Sequence, residues 1–314
     1  MMMRFDDDVV IVTGAGRGLG RAFALAFAER GAAVVVNDLG NEMDGNGVSQ
    51  PVAQQLVDEI IAAGGRAVAN TDAVGTRAAA DAIVKSAIDA FGKVTVLVNC
   101  AGIIRFAPLT EIDEEHWRLT QQIMLEGTFH LCAAAWPHMA AQNYGRIVNI
   151  TSNSGFAGNE TLIPYASAKL GVAALTKCLA QEAVGTGITV NAIAPMAVTR
   201  MNIEVFFGGK APDSDDWQTE IREGRVPMGP PSIIAPTVLW LAHRDTLING
   251  EIYSTSSGKV ARVGFVIGEG YFNPDHTPED LAAHVDQIRT LGNYLDPSCT
   301  GDEVGIIPPL FMKG

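Results

Sequence analysis

Short apolar runs rich in valine and isoleucine recur along the chain, and segments with helical periodicity separate them. Strands that are buried on both faces read as continuous apolar runs, because helices cover each side of a parallel sheet. The pattern therefore predicts an α/β fold with a doubly wound sheet of about seven parallel strands and helices on both faces. The runs span residues 9–13, 33–37, 66–70, 94–99, 146–151, 188–193 and 251–254.

The strand pattern ends near residue 254, and the rest of the chain is irregular apart from a short helical pattern at 278–290. Because no linker interrupts the earlier pattern, we expect one domain over 1–254 and a C-terminal extension over 255–314 packed on the same domain. The helical segment 166–183 is small or apolar on nearly every side, whereas a surface helix usually has one apolar stripe. A second subunit is the simplest cover for it, so we expect a homodimer or homotetramer.

Composition narrows the possible partners and the compartment. The formal net charge of −13 leaves no basic stripe for phosphates, so we expect neither nucleic acid nor an anionic membrane surface as a partner. No apolar stretch reaches the length of a membrane span, and the four cysteines show no paired spacing, which suits a reducing compartment. His276 and His284 lack a third ligand, so we expect no metal site. The acidic start and the final MKG, which is not the peroxisomal SKL, predict a cytoplasmic protein.

A glycine-rich turn, TGAGRGLG at 13–20, lies between an apolar strand and an amphipathic helix. Gly14, Gly18 and Gly20 permit positive φ and let the backbone approach a diphosphate at the helix N-terminus. The second strand ends at Asp38, 24 residues after Gly14, where a carboxylate can bind both adenosine ribose hydroxyls and repel a 2′-phosphate. The pattern therefore predicts a bound dinucleotide, NAD rather than NADP, and Arg17 is the residue that could favour the extra phosphate.

Tyr165 and Lys169 are four residues apart in a helical segment, which places both side chains on one face. A free tyrosine ionises near about pH 10, and a neighbouring ammonium lowers that pKa. Tyr165 could then exchange a proton with a substrate oxygen while Ser152 donates a hydrogen bond to the same atom. Such a pair alone is more typical of a solvated helix edge, but the independent glycine turn favours the catalytic interpretation.

These motifs together resemble the short-chain dehydrogenase/reductase family over about residues 5–254. NCAG at 99–102 is similar to the family's NNAG, and Ser152 stands thirteen positions before Tyr165, as in the family. The segments FAERGAAVVVNDLG and YGRIVNITS are most similar to the (3R)-hydroxyacyl-CoA dehydrogenase part of peroxisomal multifunctional enzymes of β-oxidation. The resemblance implies a Rossmann-type fold and a substrate lid at about residues 200–231.

The resemblance also implies roles for individual residues. The expected catalytic residues are Ser152, Tyr165 and Lys169. The expected cofactor contacts are Gly14, Arg17, Gly18, Leu19, Gly20, Asp38, Asp72, Ala73, Asn99, Ala101, Gly102, Tyr165, Lys169, Pro195 and Thr199. The chain departs from the family at Met124, where many members carry an asparagine that holds a water for proton transfer; Gln121, one turn earlier, is a candidate substitute.

The expected function is that of an NAD-dependent oxidoreductase that interconverts a secondary alcohol and a ketone. The lid is rich in bulky side chains, and residues 200–225 hold four basic and six acidic residues, a poor rim for phosphates. Both features favour a bulky apolar substrate of steroid, terpenoid or aryl type. A (3R)-3-hydroxyacyl-CoA is the alternative substrate, and a cofactor-binding scaffold or sensor without turnover is the rival from another functional class.

Overall fold

The structure is a computed structural model that describes residues 2–47, 51–203, 217–226, 228–299 and 302. Eight strands form its main sheet: β1 (Val9–Thr13), β2 (Ala33–Asn37), β3 (Arg66–Asn70), β4 (Val96–Asn99), β5 (Gly145–Ile150), β6 (Ile188–Met196), β7 (Ile252–Ser256) and β8 (Lys259–Val263). Their order across the sheet is β3-β2-β1-β4-β5-β6-β7-β8. The paired strands from β3 across to β7 are all parallel.

Helices connect these strands. They are α1 (Gly18–Glu29), α2 (Val52–Ala62), α3 (Arg77–Phe91), α4 (Glu114–Gln121), α5 (Gly127–Ala141), α6 (Asn153–Ala157), α7 (Ile163–Glu182), α8 (Trp217–Arg222) and α9 (Ala235–Ala242). A π-helical turn at Gln122–Glu126 joins α4 to α5.

Side chains that alternate along β1 divide the core into two apolar layers. Val10 and Val12 belong to one buried cluster, which includes residues of α1, α2 and α9. Val9 and Ile11 belong to a second cluster, which includes residues of α3, α5 and α7. Successive side chains of a strand point to opposite faces, so a run with no polar position is buried from both sides. The predicted α/β sheet with helices on both faces is therefore confirmed.

The sheet has one strand more than the seven predicted. β8 follows β7 through a two-residue turn at Ser257 and Gly258, whose φ values are 49° and 84°. Two residues with positive φ are typical of a tight hairpin. The sequence pattern missed this strand because its side chains are exposed or half-buried rather than apolar and buried.

The chain forms two compact units, over residues 1–262 and 263–314. The first unit contains β7 and all of β8 except its last residue, Val263. In the second unit the short strands β9 (Ile267–Gly268) and β10 (Tyr294–Leu295) pair antiparallel, and two short helices lie between them, α10 (Pro278–Ala283) and α11 (Val285–Arg289). Packing of the extension on the same domain stays a prediction. No helix in the described part of the chain is both long and apolar enough to cross a membrane.

Candidate active site

The predicted site residues cluster at the carboxyl ends of the central strands. The glycine turn follows β1, Ser152 follows β5, and Pro195 and Thr199 lie at the end of β6 and just after it. β1 has β2 on one side and β4 on the other, so the strand order reverses here. Crevices outside the carboxyl ends at such a reversal are where open α/β sheets bind ligands. Two cavities occupy this edge.

The first cavity, of about 220 Å³, is lined in nearly half of its positions by residues that the sequence predicts as cofactor contacts. Its lining includes Gly14, Arg17, Gly18, Leu19, Gly20, Asp38, Asp72, Ala73, Ala101, Gly102 and Thr199. The sequence analysis missed a second group of lining residues, which come chiefly from the loop after β2. These are Leu39, Asn41, Glu42, Met43 and Gly45, together with Arg200.

Close backbone packing shapes the turn at the floor of this cavity. A Cβ atom on Gly20 would lie 2.2 Å from the carbonyl oxygen of Gly14, so the turn requires glycine there. The Thr13 hydroxyl accepts hydrogen bonds from the backbone N–H groups of Cys100, at 3.0 Å, and Ala101, at 3.1 Å. This contact brings the NCAG segment against the turn.

Asp38 is fixed by backbone groups at the end of β2. Its Oδ2 accepts a hydrogen bond from the Gly16 N–H at 2.8 Å, and its Oδ1 accepts one from the Gly40 N–H at 2.7 Å. Arg17 turns towards the following loop, where its Nη1 donates to the carbonyl of Asn41 at 3.3 Å. The carboxylate is therefore held at the cavity wall rather than free in solvent.

Asn99, a predicted cofactor contact, has its side chain in the core. It lines neither cavity. Its Nδ2 donates to Oδ1 of Asn149 at 2.8 Å and contacts Sγ of Cys132 at 3.4 Å, inside the core. Asn99 ends β4, and the alternation along that strand directs its side chain inwards, so a direct side-chain contact with a cofactor is not supported.

The second cavity, of about 520 Å³, contains Ser152, Tyr165, Lys169 and Pro195 in its lining. Ser152 caps α6, and its Oγ accepts from the Ser154 N–H at 3.2 Å. Lys169 lies one turn after Tyr165 on α7, and its Nζ is 5.9 Å from the centre of the tyrosine ring. That Nζ donates to the carbonyl of Ile150 at 2.7 Å. The structure therefore brings together the three residues that the sequence nominates.

Burial dominates the electrostatics of this group. Burial raises the pKa of Tyr165, against an opposing hydrogen bond with Ser152. Burial also lowers the pKa of Lys169 to about 8, while the nearby Cys100 thiol acts in the opposite direction. The predicted lowering of the tyrosine pKa by the ammonium is not found in this structure, in which the loss of hydration on burial raises that pKa. That lowering stays a prediction for the complex with an oxidised nicotinamide.

The two cavities meet at five shared lining residues: Leu19, Cys100, Gly102, Thr199 and Met201. A molecule that fills the first cavity can therefore present one end to the group in the second. Pro195, Tyr165 and Lys169 line only the second cavity, so their predicted cofactor contacts would be with that end of the molecule.

Met124 lies at the centre of the π-helical turn and is buried in the lining of the second cavity. Its carbonyl accepts a hydrogen bond from the Thr128 hydroxyl at 2.7 Å. Gln121 does not replace the missing asparagine, since its Nε2 donates to the carbonyl of Pro164 at 2.9 Å. At this position the wall of the second cavity is therefore formed by the thioether side chain of Met124.

Among the residues of the second cavity that the sequence analysis missed are two methionines, Met196 and Met228. Met196, Met201 and Met228 line it together with Met124. Met201 was noted only as part of a bulky lid, and the others come from separate elements, so no local pattern groups them. A large part of the predicted lid, residues 204–216 and 227, lies outside the described residues.

The first cavity fits a dinucleotide on the geometry of its own residues. Its turn has no room for a side chain at Gly14, Gly16 or Gly20. Helix α1 begins without a side-chain cap, and a fixed carboxylate stands at the wall. Uncapped amides at a helix N-terminus favour phosphate. In the described residues no group of three or more His, Cys, Asp or Glu side chains is arranged to hold a metal ion.

A protein-family model described as short chain dehydrogenase matches residues 8–206. The chain belongs to this family. Short-chain dehydrogenases are oxidoreductases that use a nicotinamide cofactor, and the Rossmann-type fold agrees with that assignment. The match alone does not discriminate between NAD and NADP.

Three proteins are similar to this short-chain dehydrogenase over most of its length. Peroxisomal multifunctional enzyme type 2 of Mus musculus is 39% identical over 99% of this chain and 40% of its own length. A putative short-chain type dehydrogenase/reductase of Mycobacterium tuberculosis is 40% identical over 91% of this chain and 95% of its own length. The structure of full-length peroxisomal multifunctional enzyme type 2 from Drosophila melanogaster superposes with a TM-score of 0.79, at 31% identity, over 99% of this chain and 50% of that chain.

These comparisons overturn the cytoplasmic localisation predicted from the sequence. The mouse and Drosophila relatives are both peroxisomal by name. The prediction relied on the last three residues, and this chain corresponds to only 40% of the mouse protein. A targeting address is a short segment that is separate from the catalytic fold, so the final tripeptide was no guide.

Proposed function

We propose that this short-chain dehydrogenase uses NAD to oxidise the hydroxyl of a (3R)-3-hydroxyacyl-CoA to a ketone, or to catalyse the reverse reaction. The observation that carries the proposal is the arrangement of Ser152, Tyr165 and Lys169 in the second cavity, which shares five lining residues with the first. The sequence analysis favoured a bulky neutral alcohol. The similarity to peroxisomal multifunctional enzymes, over nearly the whole chain, supports the acyl-CoA alternative instead.

Each residue of the group would have a separate task. When bound, the oxidised nicotinamide supplies the acceptor for hydride. Tyr165 would accept the proton of the substrate hydroxyl while Ser152 donates a hydrogen bond to the same oxygen. Lys169, one turn away, would stabilise the phenolate and bind the ribose of the cofactor. Because burial raises the pKa of Tyr165, the phenolate depends on nearby positive charge.

NAD is favoured over NADP by the fixed carboxylate of Asp38. Two backbone N–H groups hold it at the wall of the first cavity. A 2′-phosphate at this wall would bring two negative groups together, and the two arginines that also line the cavity have partners in the protein, Arg17 the carbonyl of Asn41 and Arg200 the carboxylate of Glu42. Repulsion of this kind is worth more in a partly buried site than in water.

The second cavity fits the acyl part of such a substrate. Its described lining is largely apolar, with Lys169 as the one cation and Glu160 as the one carboxylate. Phosphate groups are bound through arginine or lysine, so the carrier would remain outside this cavity. Flexible thioether side chains adapt their shape to apolar ligands, which suits an acyl chain.

We also infer that the protein forms a homodimer or homotetramer. Phe129 on α5 and Ile163 and Leu170 on α7 are 49%, 37% and 40% exposed. A second copy of the chain would cover these side chains and the small residues between them.

A substrate panel tests the proposal directly. Production of NADH from NAD, and of NADPH from NADP, is followed with (3R)- and (3S)-3-hydroxyacyl-CoA esters, a hydroxysteroid and a cyclic secondary alcohol. The highest kcat/KM is expected for a (3R)-ester with NAD. A faster reaction with the steroid would return the substrate to the class first expected. Tight NADH binding without turnover of any compound would favour the scaffold or sensor instead.

A further inference from the structure

Asn202 lies in the short segment that follows β6 and separates the two cavities. The segment carries Thr199 and Met201, which line both cavities, and Asn202 itself lines the second. Any change in the path of this segment would therefore reach both sites at once. The contacts that fix the path of this segment are made by the Asn202 side chain.

The Asn202 amide makes three contacts that use its acceptor and its donor group. Its Oδ1 accepts from the Thr199 N–H at 2.8 Å, and its Nδ2 donates to the carbonyl of Ala197 at 2.7 Å. The same Nδ2 contacts Sδ of Met228 at 3.6 Å. An amide offers one carbonyl and two N–H bonds, so asparagine suits this position better than an acid or a hydroxyl residue would.

These contacts determine which groups of Thr199 remain available. Its N–H is bound by Asn202, and its Oγ1 accepts from the Met201 N–H at 3.2 Å. Its methyl group is directed towards the start of α1, where a Cβ on Gly18 would lie 3.8 Å away. The hydroxyl proton has no acceptor among the described residues, so it can be donated to a bound molecule at the junction.

The contact between Asn202 and Met228 also fixes part of the wall of the second cavity. Met228 is buried, and its neighbour Gly229 accepts a hydrogen bond from the Val198 N–H at 2.9 Å. The strand end that carries Thr199 and the segment that carries Met228 are therefore tied twice, once by backbone and once through Asn202.

We propose that Asn202 is a positioning residue that sets the Thr199 hydroxyl for the nicotinamide end of the cofactor and the Met228 thioether for the substrate. This inference rests on the proposed function. In this inference, a side chain outside the group of Ser152, Tyr165 and Lys169 couples cofactor binding to substrate fit.

Three variants test the proposal through binding, without dependence on turnover. Asn202→Leu has nearly the same size and removes every polar contact. Asn202→Asp keeps an acceptor for the Thr199 N–H and loses both donors. Met228→Leu removes only the sulfur contact. Isothermal titration calorimetry with NADH and with AMP, which lacks the nicotinamide end, is carried out on each full-length variant beside the unaltered protein.

The proposal predicts a graded result. For Asn202→Leu the dissociation constant for NADH rises about tenfold while that for AMP changes less than about twofold, as expected for the loss of hydrogen bonds that position one contact. Asn202→Asp gives an intermediate loss. Met228→Leu leaves NADH binding within about twofold of the unaltered protein and changes KM of the substrate more than kcat.

Two outcomes would overturn it. In the first, Asn202→Leu binds NADH as the unaltered protein does, which removes any link between Asn202 and the cofactor. In the second, the variant loses NADH and AMP equally and its melting temperature falls, which indicates general damage. Failure of the proposed function is a different result, since the unaltered protein would then bind no NADH or turn over no alcohol.

Discussion

The two cavities are built in different ways, and the difference separates what the protein binds by backbone from what it binds by side chain. The first cavity has a floor of glycines in close backbone contact and a carboxylate held by two N–H groups. The second has four methionines drawn from separate elements. A backbone site has one shape, whereas thioethers adapt. The comparison teaches that cofactor recognition is rigid and local while the substrate wall is assembled from distant segments.

The two cavities also differ in how many hydrogen-bond partners their charged side chains have. Asp38 in the first cavity has two N–H partners, whereas Lys169 in the second is 5% exposed and has the carbonyl of Ile150 as its hydrogen-bond acceptor. An ammonium buried with so little compensation favours its neutral form. The second cavity is therefore a place where function opposes stability.

Tyr165→Phe should break the chemistry of the second cavity and leave the first intact. Without the phenol oxygen no group remains to accept the substrate proton, so kcat is expected to fall by roughly 10³-fold or more. NADH binding, measured by titration calorimetry, should change less than about threefold. Tyr144→Phe is the matched control, because Tyr144 precedes β5 while Ser152 follows its other end. A Tyr165→Phe variant that keeps more than a tenth of the activity would contradict the assignment.

Lys169→Met should change how stability depends on pH. The folded pKa of about 8 lies below the ordinary value of 10.5, so between these values only the unfolded chain holds the proton. Stability must therefore rise with pH in that window, and the burial penalty is complete below about pH 8. The variant removes this rise, worth roughly 3 kcal/mol in the free energy of unfolding between about pH 7 and pH 10.5.

Urea unfolding of the cofactor-free protein at several pH values measures the effect of Lys169→Met. Lys177→Met, on the same helix but only half-buried, controls for the loss of a cation as such. Parallel curves for the unaltered protein and Lys169→Met across the window would show that the ammonium is not buried as the structure has it.

Asp38→Asn should alter the first cavity and leave the second cavity unchanged. The amide keeps the size of the carboxylate but loses its charge and one of its two N–H contacts. NAD is expected to bind about 20-fold more weakly, as for a hydrogen bond to a charged group, with a smaller loss or a gain for NADP. Asp81→Asn is the control, because that carboxylate is exposed on α3, pairs with Arg77 at 2.8 Å and lines neither cavity. Equal losses for NAD and NADP would assign Asp38 to structure only.

The first cavity could be predicted from the sequence because its determinants are local. The glycine turn, the strand before it and Asp38 lie within 30 residues, and each needs a particular residue type at a fixed spacing. The same holds for Tyr165 and Lys169, which one helical turn joins. The parallel sheet could be predicted from the apolar runs, because strands that are buried on both faces consist mainly of apolar residues.

The remaining features depend on contacts between distant segments. Asn202 and Met228 are 26 residues apart, and Met124 and Met196 come from other elements, so no spacing predicts their shared wall. Asn99 was assigned to the cofactor by its motif, but the pleat of β4 directs it to Asn149. The pKa of Tyr165 is raised rather than lowered because the side chain is buried, and burial depends on the whole fold.

The π-helical turn at Gln122–Glu126 restricts how this protein can be recombined with its relatives. Such a turn contains one residue more than an α-helical path. Removing one residue would merge α4 and α5 into a continuous helix and rotate one against the other by about 100°, the advance of a single residue. Met124 would then leave the cavity wall. A chimera should exchange residues 114–141 as one block, with both crossovers outside it.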